Sequence, residues 1–249
     1  MIVNKRILTV LFALCLPCVA VGLRAQSDDF GIWTDIEVKK KLFPGFDASA
    51  EGEFRTRNGL KNVERWSAGF GMAYRPVSFL KADGGYTYIY SRQPVEETKK
   101  GNLISAYWSP RHRFYASLTG SYTWYRLELS LRERYQWTRR MALSVPKYDG
   151  DDGSRKADEE ISAKTKNILR TRLQAVWNIR KSAFSPYASC ELYHSITDGW
   201  GIDKTRWTLG TGYRINKCHS VDAFYRYQNH ADDDEANGHV LGVGYKLKL

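Results

Sequence analysis

The chain has 249 residues, a formal charge of +11 and an aromatic content of 14%, with 16 Tyr, 10 Phe and 8 Trp. Past residue 25 no apolar run approaches the ~20 residues of a membrane helix, which excludes a helical membrane bundle. The basic excess is spread along the chain rather than clustered, which speaks against nucleic acid as a partner and fits contact with anionic lipopolysaccharide better.

The first 25 residues read as an export signal. Lys5 and Arg6 give it a positive start, Ile7 to Val21 is mostly apolar, and Leu23-Arg24-Ala25 offers a small residue for cleavage before Gln26. The apolar run is too short to span a bilayer. Cys15 follows Leu14 and Cys18 follows Pro17, so neither has the small preceding residue of a lipoprotein signal. Cleavage removes Lys5, Arg6 and Arg24, lowers the charge to +8, and leaves Cys190 and Cys218. Those two fall in strands expected to be non-adjacent, so a disulfide is not expected. Residues 26–249 form one domain in this reading.

From Asp29 onward the dominant pattern has period two, which a strand converts into two walls. In 46–57, Phe46, Ala48, Ala50, Gly52, Phe54 and Thr56 alternate with Asp47, Ser49, Glu51, Glu53, Arg55 and Arg57. Trp66, Ala68, Phe70, Met72 and Tyr74 alternate with Arg65, Ser67, Gly69, Gly71, Ala73 and Arg75. Leu127, Leu129, Leu131, Tyr135 and Trp137 oppose Arg126, Glu128, Ser130, Arg132, Arg134 and Gln136. Further on, Leu169, Leu173, Ala175 and Trp177 oppose Arg170 and Arg172; Trp207, Leu209 and Tyr213 oppose Arg206 and Arg214; Val221, Ala223, Tyr225 and Tyr227 oppose Asp222, Arg226 and Gln228. The expected strands are 29–39, 46–57, 63–76, 78–92, 111–123, 125–138, 165–180, 184–197, 203–215, 218–230 and 237–249. Each is near or above the ~9–11 residues that cross a bilayer at a tilt. Tight connections at 75–78, 124–125, 180–184 and 216–217 alternate with longer polar ones at 93–110, 139–164, 196–202 and 231–236. Short periplasmic turns with long outer loops are the rule for outer-membrane barrels. The strands number eleven, whereas bacterial single-chain barrels have even numbers. Twelve are therefore expected, with ten as the next choice, two strands having been merged or one being irregular.

The fold class that follows is all-β: a closed antiparallel transmembrane β-barrel in a bacterial outer membrane. A water-soluble, lipocalin-like binding barrel alternates too, with its apolar wall inward. Three features favour the membrane. The polar wall is charged, with Glu51, Glu53, Arg55, Arg132, Arg134, Arg170, Arg172, Glu191, Arg206, Arg214 and Arg226 expected to form a polar network in the lumen. Aromatics gather near strand ends, at Trp33, Tyr74, Tyr86, Tyr88, Tyr90, Trp124, Tyr125, Tyr135, Trp137, Trp177, Trp207, Tyr225 and Tyr227, as a membrane girdle requires. Gly242, Tyr245, Leu247 and Leu249 end the last strand in a pattern that looks like the signal read by barrel-assembly machinery, which is then a partner along with the lipid and lipopolysaccharide of the membrane.

Several pieces in order resemble one known family: Phe30-Gly31-Ile32-Trp33, Glu51-Gly52-Glu53-Phe54-Arg55, Tyr74-Arg75, Gly85-Tyr86-Thr87-Tyr88, Arg132-Glu133-Arg134-Tyr135, Arg170-Thr171-Arg172, Glu191-Leu192-Tyr193, and Arg206 before Leu209-Gly210-Thr211-Gly212-Tyr213. The family is an outer-membrane barrel family of Bacteroidota, domain of unknown function 2490. The resemblance implies a barrel and an outer-membrane address and implies no activity.

No constellation of residues carries chemistry clearly. An outer-membrane acyl hydrolase or deacylase places His and Ser two residues apart on one wall. Here His194 and Ser195 are adjacent, so a strand turns them to opposite sides. Glu51 and Glu53 share a face, as an acid and a base would, yet Arg55 and Arg57 continue it, which reads as an ion-pair ladder. The acidic runs Asp149-Gly150-Asp151-Asp152-Gly153 and Asp232-Asp233-Asp234-Glu235 lack EF-hand spacing. No metal site or cofactor is expected. The leading expectation is a non-enzymatic barrel, structural or a narrow solute pore, with the loop 139–164 as the place for any adhesive contact.

Overall fold

The computed structural model describes residues 29–197, 199–229 and 238–249. The expected signal over 1–25 and the acidic run 232–235 lie outside them. Eleven long strands close into one barrel: β1 (Asp29–Phe43), β2 (Phe46–Arg57), β3 (Asn62–Val77), β4 (Leu80–Gln93), β7 (Tyr107–Trp124), β8 (Leu127–Arg140), β11 (Lys164–Trp177), β12 (Phe184–Ser195), β13 (Gly201–Arg214), β14 (His219–Asn229) and β15 (Gly238–Lys248). Four short strands, β5 (Glu96–Glu97), β6 (Leu103–Ile104), β9 (Leu143–Tyr148) and β10 (Arg155–Ile161), make a separate sheet in the order β10-β9-β6-β5. They lie within the connections 93–110 and 139–164, expected as plain loops. The two connections pair with each other through β6 and β9, a long-range match that no local pattern announces.

The barrel strands follow each other in sequence order, each antiparallel to the next, until the ring closes. There β1 and β15 run parallel, from Asp29 against Gly238 to Lys39 against Lys248. This corrects the expectation of twelve strands and of a wholly antiparallel barrel. An even number is needed only if the closing pair is antiparallel. With eleven strands the first and last point the same way, and a parallel ladder joins them at slightly lower stability per residue. The alternation of connections holds. At one end the turns are tight: Gly45, at φ 79, bends the β1–β2 hairpin where an added Cβ would lie 2.9 Å from the Arg75 carbonyl oxygen. The opposite, long-loop end carries the small sheet.

The two walls are inverted relative to a water-soluble barrel. Outward side chains are apolar around the ring, among them Ile36, Phe54, Phe70, Phe114, Leu131, Leu173, Leu209 and Leu241, all exposed. The inner wall holds the charge. A water-soluble barrel would hide the first set and expose the second, so the lipocalin-like alternative does not describe this molecule. Aromatic contacts mark two belts on the outer wall. Near the long-loop end Tyr90 stacks on Trp108 at 4.9 Å and Phe114 meets Trp137 at 5.7 Å. Near the short-turn end Phe43 stacks on Phe46 at 4.6 Å and Phe184 meets Tyr213 at 4.7 Å.

One expected girdle residue is misplaced. Trp33 points inward and is 3% exposed. It shares its face of β1 with Asp35, which lines the lumen. Cys190, on β12, and Cys218, in the turn between β13 and β14, form no disulfide.

The lumen differs at its two ends. At the long-loop end Glu64, Ser91, Ser109, Ser195, Lys204 and Gln228 are each 2% exposed or less. At the short-turn end the inward side chains of Arg75 and Lys246 are 45% and 46% exposed. The barrel is packed shut beneath the long loops and open toward the short turns.

Candidate functional site

Charged residues from adjacent strands meet inside because alternation turns every second side chain inward and the ladder sets them side by side. The wall so formed surrounds a cavity of about 260 Å3. Of the residues expected to form the lumen network, all but Arg214 line it. Arg214 shares their face but sits lower, in a second pocket at the short-turn end beside Lys217, Lys246 and Lys248. The cavity wall carries ten cations, Arg55, Arg65, Arg113, Arg132, Arg134, Arg170, Arg172, Lys204, Arg206 and Arg226, against four carboxylates, Asp35, Glu51, Glu53 and Glu191.

Glu191 on β12 is the hub of one cluster. Arg132 of β8 donates to its Oε1 at 2.6 Å, and Arg170 of β11 donates to Oε1 at 3.1 Å and Oε2 at 3.0 Å. The Tyr193 hydroxyl donates to Oε2 at 3.1 Å and itself accepts from Arg206 of β13. Four strands are thereby tied through one carboxylate by charge-assisted bonds, the strong class of protein hydrogen bond. Across the lumen Glu53 accepts from Arg55 at 2.8 Å and from Arg65 at 3.0 Å. A third centre, Asp83, accepts from Arg134 at 3.1 Å and from Ser117 at 3.1 Å, and pairs with Lys81 at 3.1 Å. Glu51 accepts from Thr87 at 3.3 Å.

Two aromatic side chains add cation contacts. The Arg55 guanidinium lies 3.4 Å from the Trp33 ring centre, with Arg226 at 4.8 Å and Arg206 at 5.0 Å from the same ring. Tyr193 has Lys204 at 4.4 Å and Arg170 at 4.5 Å. A desolvated cation–aromatic contact is worth about 2 kcal/mol. Phe224, absent from the expected inner wall, is an apolar intruder there, 4.6 Å from Arg226. It fits only because Gly242 opposite has no side chain.

The candidate catalytic pair does not assemble. Ser195 is 1% exposed on the inner side, while His194 stacks on Trp200 at 5.6 Å; adjacent on one strand, they face opposite walls. The acidic loop Asp149–Gly153 bonds to itself: Asp149 accepts the Asp151 amide at 2.9 Å and Asp152 accepts the Ser154 amide at 2.8 Å. A hydrogen bond from Lys156 and the Asp151 amide hold the Asp149 carboxyl below its ordinary range. Among the described residues no three metal-ligating side chains are grouped. At the last strand, Leu241, Val243, Tyr245 and Leu247 share the outer side by alternation, with the Tyr245 hydroxyl 2.5 Å from His219 Nδ1.

The inner residues that sequence reasoning missed are Trp33, Asp35, Asp83, Arg113, Tyr193, Lys204 and Phe224. Parity along each strand held the signal for Asp35 and Asp83. It held the signal for Lys204 too, which shares the parity of Arg206 and Thr208 on β13.

The model of one family, described as a protein of unknown function (DUF2490), matches residues 30–238. Among solved structures the chain is similar to the β-domain of the Bordetella autotransporter BrkA, with a TM-score of 0.52, 14% identity, and 82% of each chain covered. At that identity the likeness extends to the fold alone. No curated protein matches the chain.

Proposed function

Because the chain belongs to the DUF2490 family, whose description assigns no activity, we propose its role from the barrel itself: a non-enzymatic outer-membrane protein whose lumen is a positively charged chamber, closed beneath the long loops and open toward the short turns. The outward apolar wall between two aromatic belts supports the membrane placement, since such a surface is stable in lipid and not in water. The export signal over residues 1–25, the outer-membrane address, lipopolysaccharide surroundings and insertion by barrel-assembly machinery through the Gly242–Leu249 segment belong to the same reading. The geometry favours it over an acyl hydrolase, whose nucleophile and base would have to share a wall.

The observation that carries the closed chamber is the burial at the long-loop end, where Ser109 is 0% and Lys204 2% exposed. An eleven-stranded barrel is intermediate between eight-stranded barrels that side chains fill and sixteen-stranded ones that leave a channel. In this one Trp33, Tyr193 and the arginines stacked on them fill the upper lumen. Planar-bilayer recording tests this. The folded protein is expected to give no steady single-channel current, and the Trp33→Ala, Tyr193→Ala double variant an anion-preferring one, because the emptied lumen is lined with arginine. Steady channels from the unaltered protein would overturn the reading.

A further inference from the structure

We propose that the chamber is a binding site for a small, multiply charged oxyanion of phosphate-like chemistry, seated on the arginines of β8 and β11. The proposal rests on the closed-chamber reading and names the ligand class of that site. In the β8–β11 ladder Arg132 lies directly opposite Arg172, and Arg134 directly opposite Arg170. Like charges set directly across a ladder repel, and here two such pairs stack in consecutive inward positions.

The carboxylates in reach do not neutralise this block. Glu191 takes Arg132 and Arg170. Asp83 takes Arg134 and is shared with Lys81. Among the described residues no ion pair is formed by Arg172. The Nε atoms of Arg132, Arg170 and Arg172 are buried without a hydrogen-bond partner, a costly state for charged donors. All four guanidinium groups border the same cavity.

An oxyanion answers this excess of positive charge. Its charge offsets that of the opposed arginines, and its oxygens accept from the guanidinium N–H groups that border the cavity, in the forked geometry that guanidinium offers to phosphate. A halide cannot accept in that way, and a cation is repelled. The volume of about 260 Å3 lies just below the usual range for small-molecule pockets, so the ligand is small. The opening toward the short turns gives it an aqueous path, while a charged wall refuses acyl chains. The phosphate group reaches the site either as the free ion or carried on a small soluble ester.

The test uses the full folded chain in detergent micelles at low ionic strength, titrated calorimetrically with inorganic phosphate, glycerol phosphate and, as a control, chloride. Saturable one-to-one binding tighter than about 1 mM is expected for at least one phosphate compound and none for chloride. Which compound binds better separates the free ion from the ester. Arg172→Gln should weaken binding about tenfold or more, and Arg172→Lys less, because lysine keeps the charge and loses the fork. A parallel readout is the temperature at which the compact gel form is lost on heating, which the bound anion should raise. If Arg172→Gln fails to fold, Arg132→Gln replaces it. No saturable binding with no rise in that temperature overturns the proposal, and so does binding that neither substitution weakens. A barrel that conducts and still binds phosphate removes the closed chamber but keeps the site; a closed barrel that binds none removes the site alone.

Discussion

Gly242 and Phe224 face each other across neighbouring strands with no space for a methyl group between them: a Cβ on Gly242 would lie 1.9 Å from the Phe224 ring. A rigid ring cannot yield by that much without leaving its rotamer, so Gly242→Ala is expected to destabilise the folded barrel by about 1–3 kcal/mol. Phe224→Ala in the same chain should restore most of the loss, and a double-mutant cycle from denaturant unfolding in micelles measures the coupling. At this scale the sequence was partly legible. Rows such as Arg132, Arg134 and Arg170, Arg172 declare their face by alternation. Glu191 as the hub did not, because Arg132 lies 59 positions away from it and the ladder that unites them is set by the whole ring. Trp33 misled for another reason. An aromatic near a strand end suggests lipid, while Asp35 and Glu37, two and four positions on, share its parity and point to the lumen.

Glu133 breaks the pattern of its element. It follows Leu131 and precedes Tyr135 on the outer face of β8, and its carboxylate accepts from Thr171 of β11 at 2.9 Å. Trp137 lies four residues toward one belt and Leu127, paired with Trp177, six toward the other. The carboxyl therefore sits in the apolar band, where an acidic side chain costs less than a basic one but still opposes stability. Glu133→Leu is expected to raise the unfolding free energy by about 1–2 kcal/mol, read as a higher denaturant midpoint at an unchanged slope. A lower midpoint would mean that the bond to Thr171 outweighs the cost of placing the carboxyl there. Period two made the barrel strands legible, since their two walls differ in polarity. It could not reveal β5, β6, β9 and β10, which are short and are joined into one sheet by the pairing of β6 in one loop with β9 in the other.

The whole ring depends on a seam whose two strands are separated by nearly the entire chain. The parity of the strands was legible, and only the assumption that the last pair must be antiparallel turned eleven into twelve. In the parallel register Thr34 is opposite Val243 on the outer wall. With the native cysteines replaced, Thr34→Cys and Val243→Cys should oxidise to an intramolecular disulfide, since neighbouring strands hold Cα atoms within bonding range. Non-reducing gels would report it as a faster unfolded band. An antiparallel closure would leave that pair unlinked.

The parallel seam also gives the barrel a direction. In a ring with an even number of strands the first strand starts beside the point where the last one finishes, and a few residues can join them into a circle. In this ring β1 starts at the long-loop end and β15 finishes at the short-turn end. A linker joining them must run the full height of the wall, through a lumen packed shut beneath the long loops or through lipid that accepts no unpaired backbone. The order of its strands can therefore not be rotated by simple cut-and-join rearrangement, and growth or loss of single hairpins preserves the odd count and the parallel seam with it.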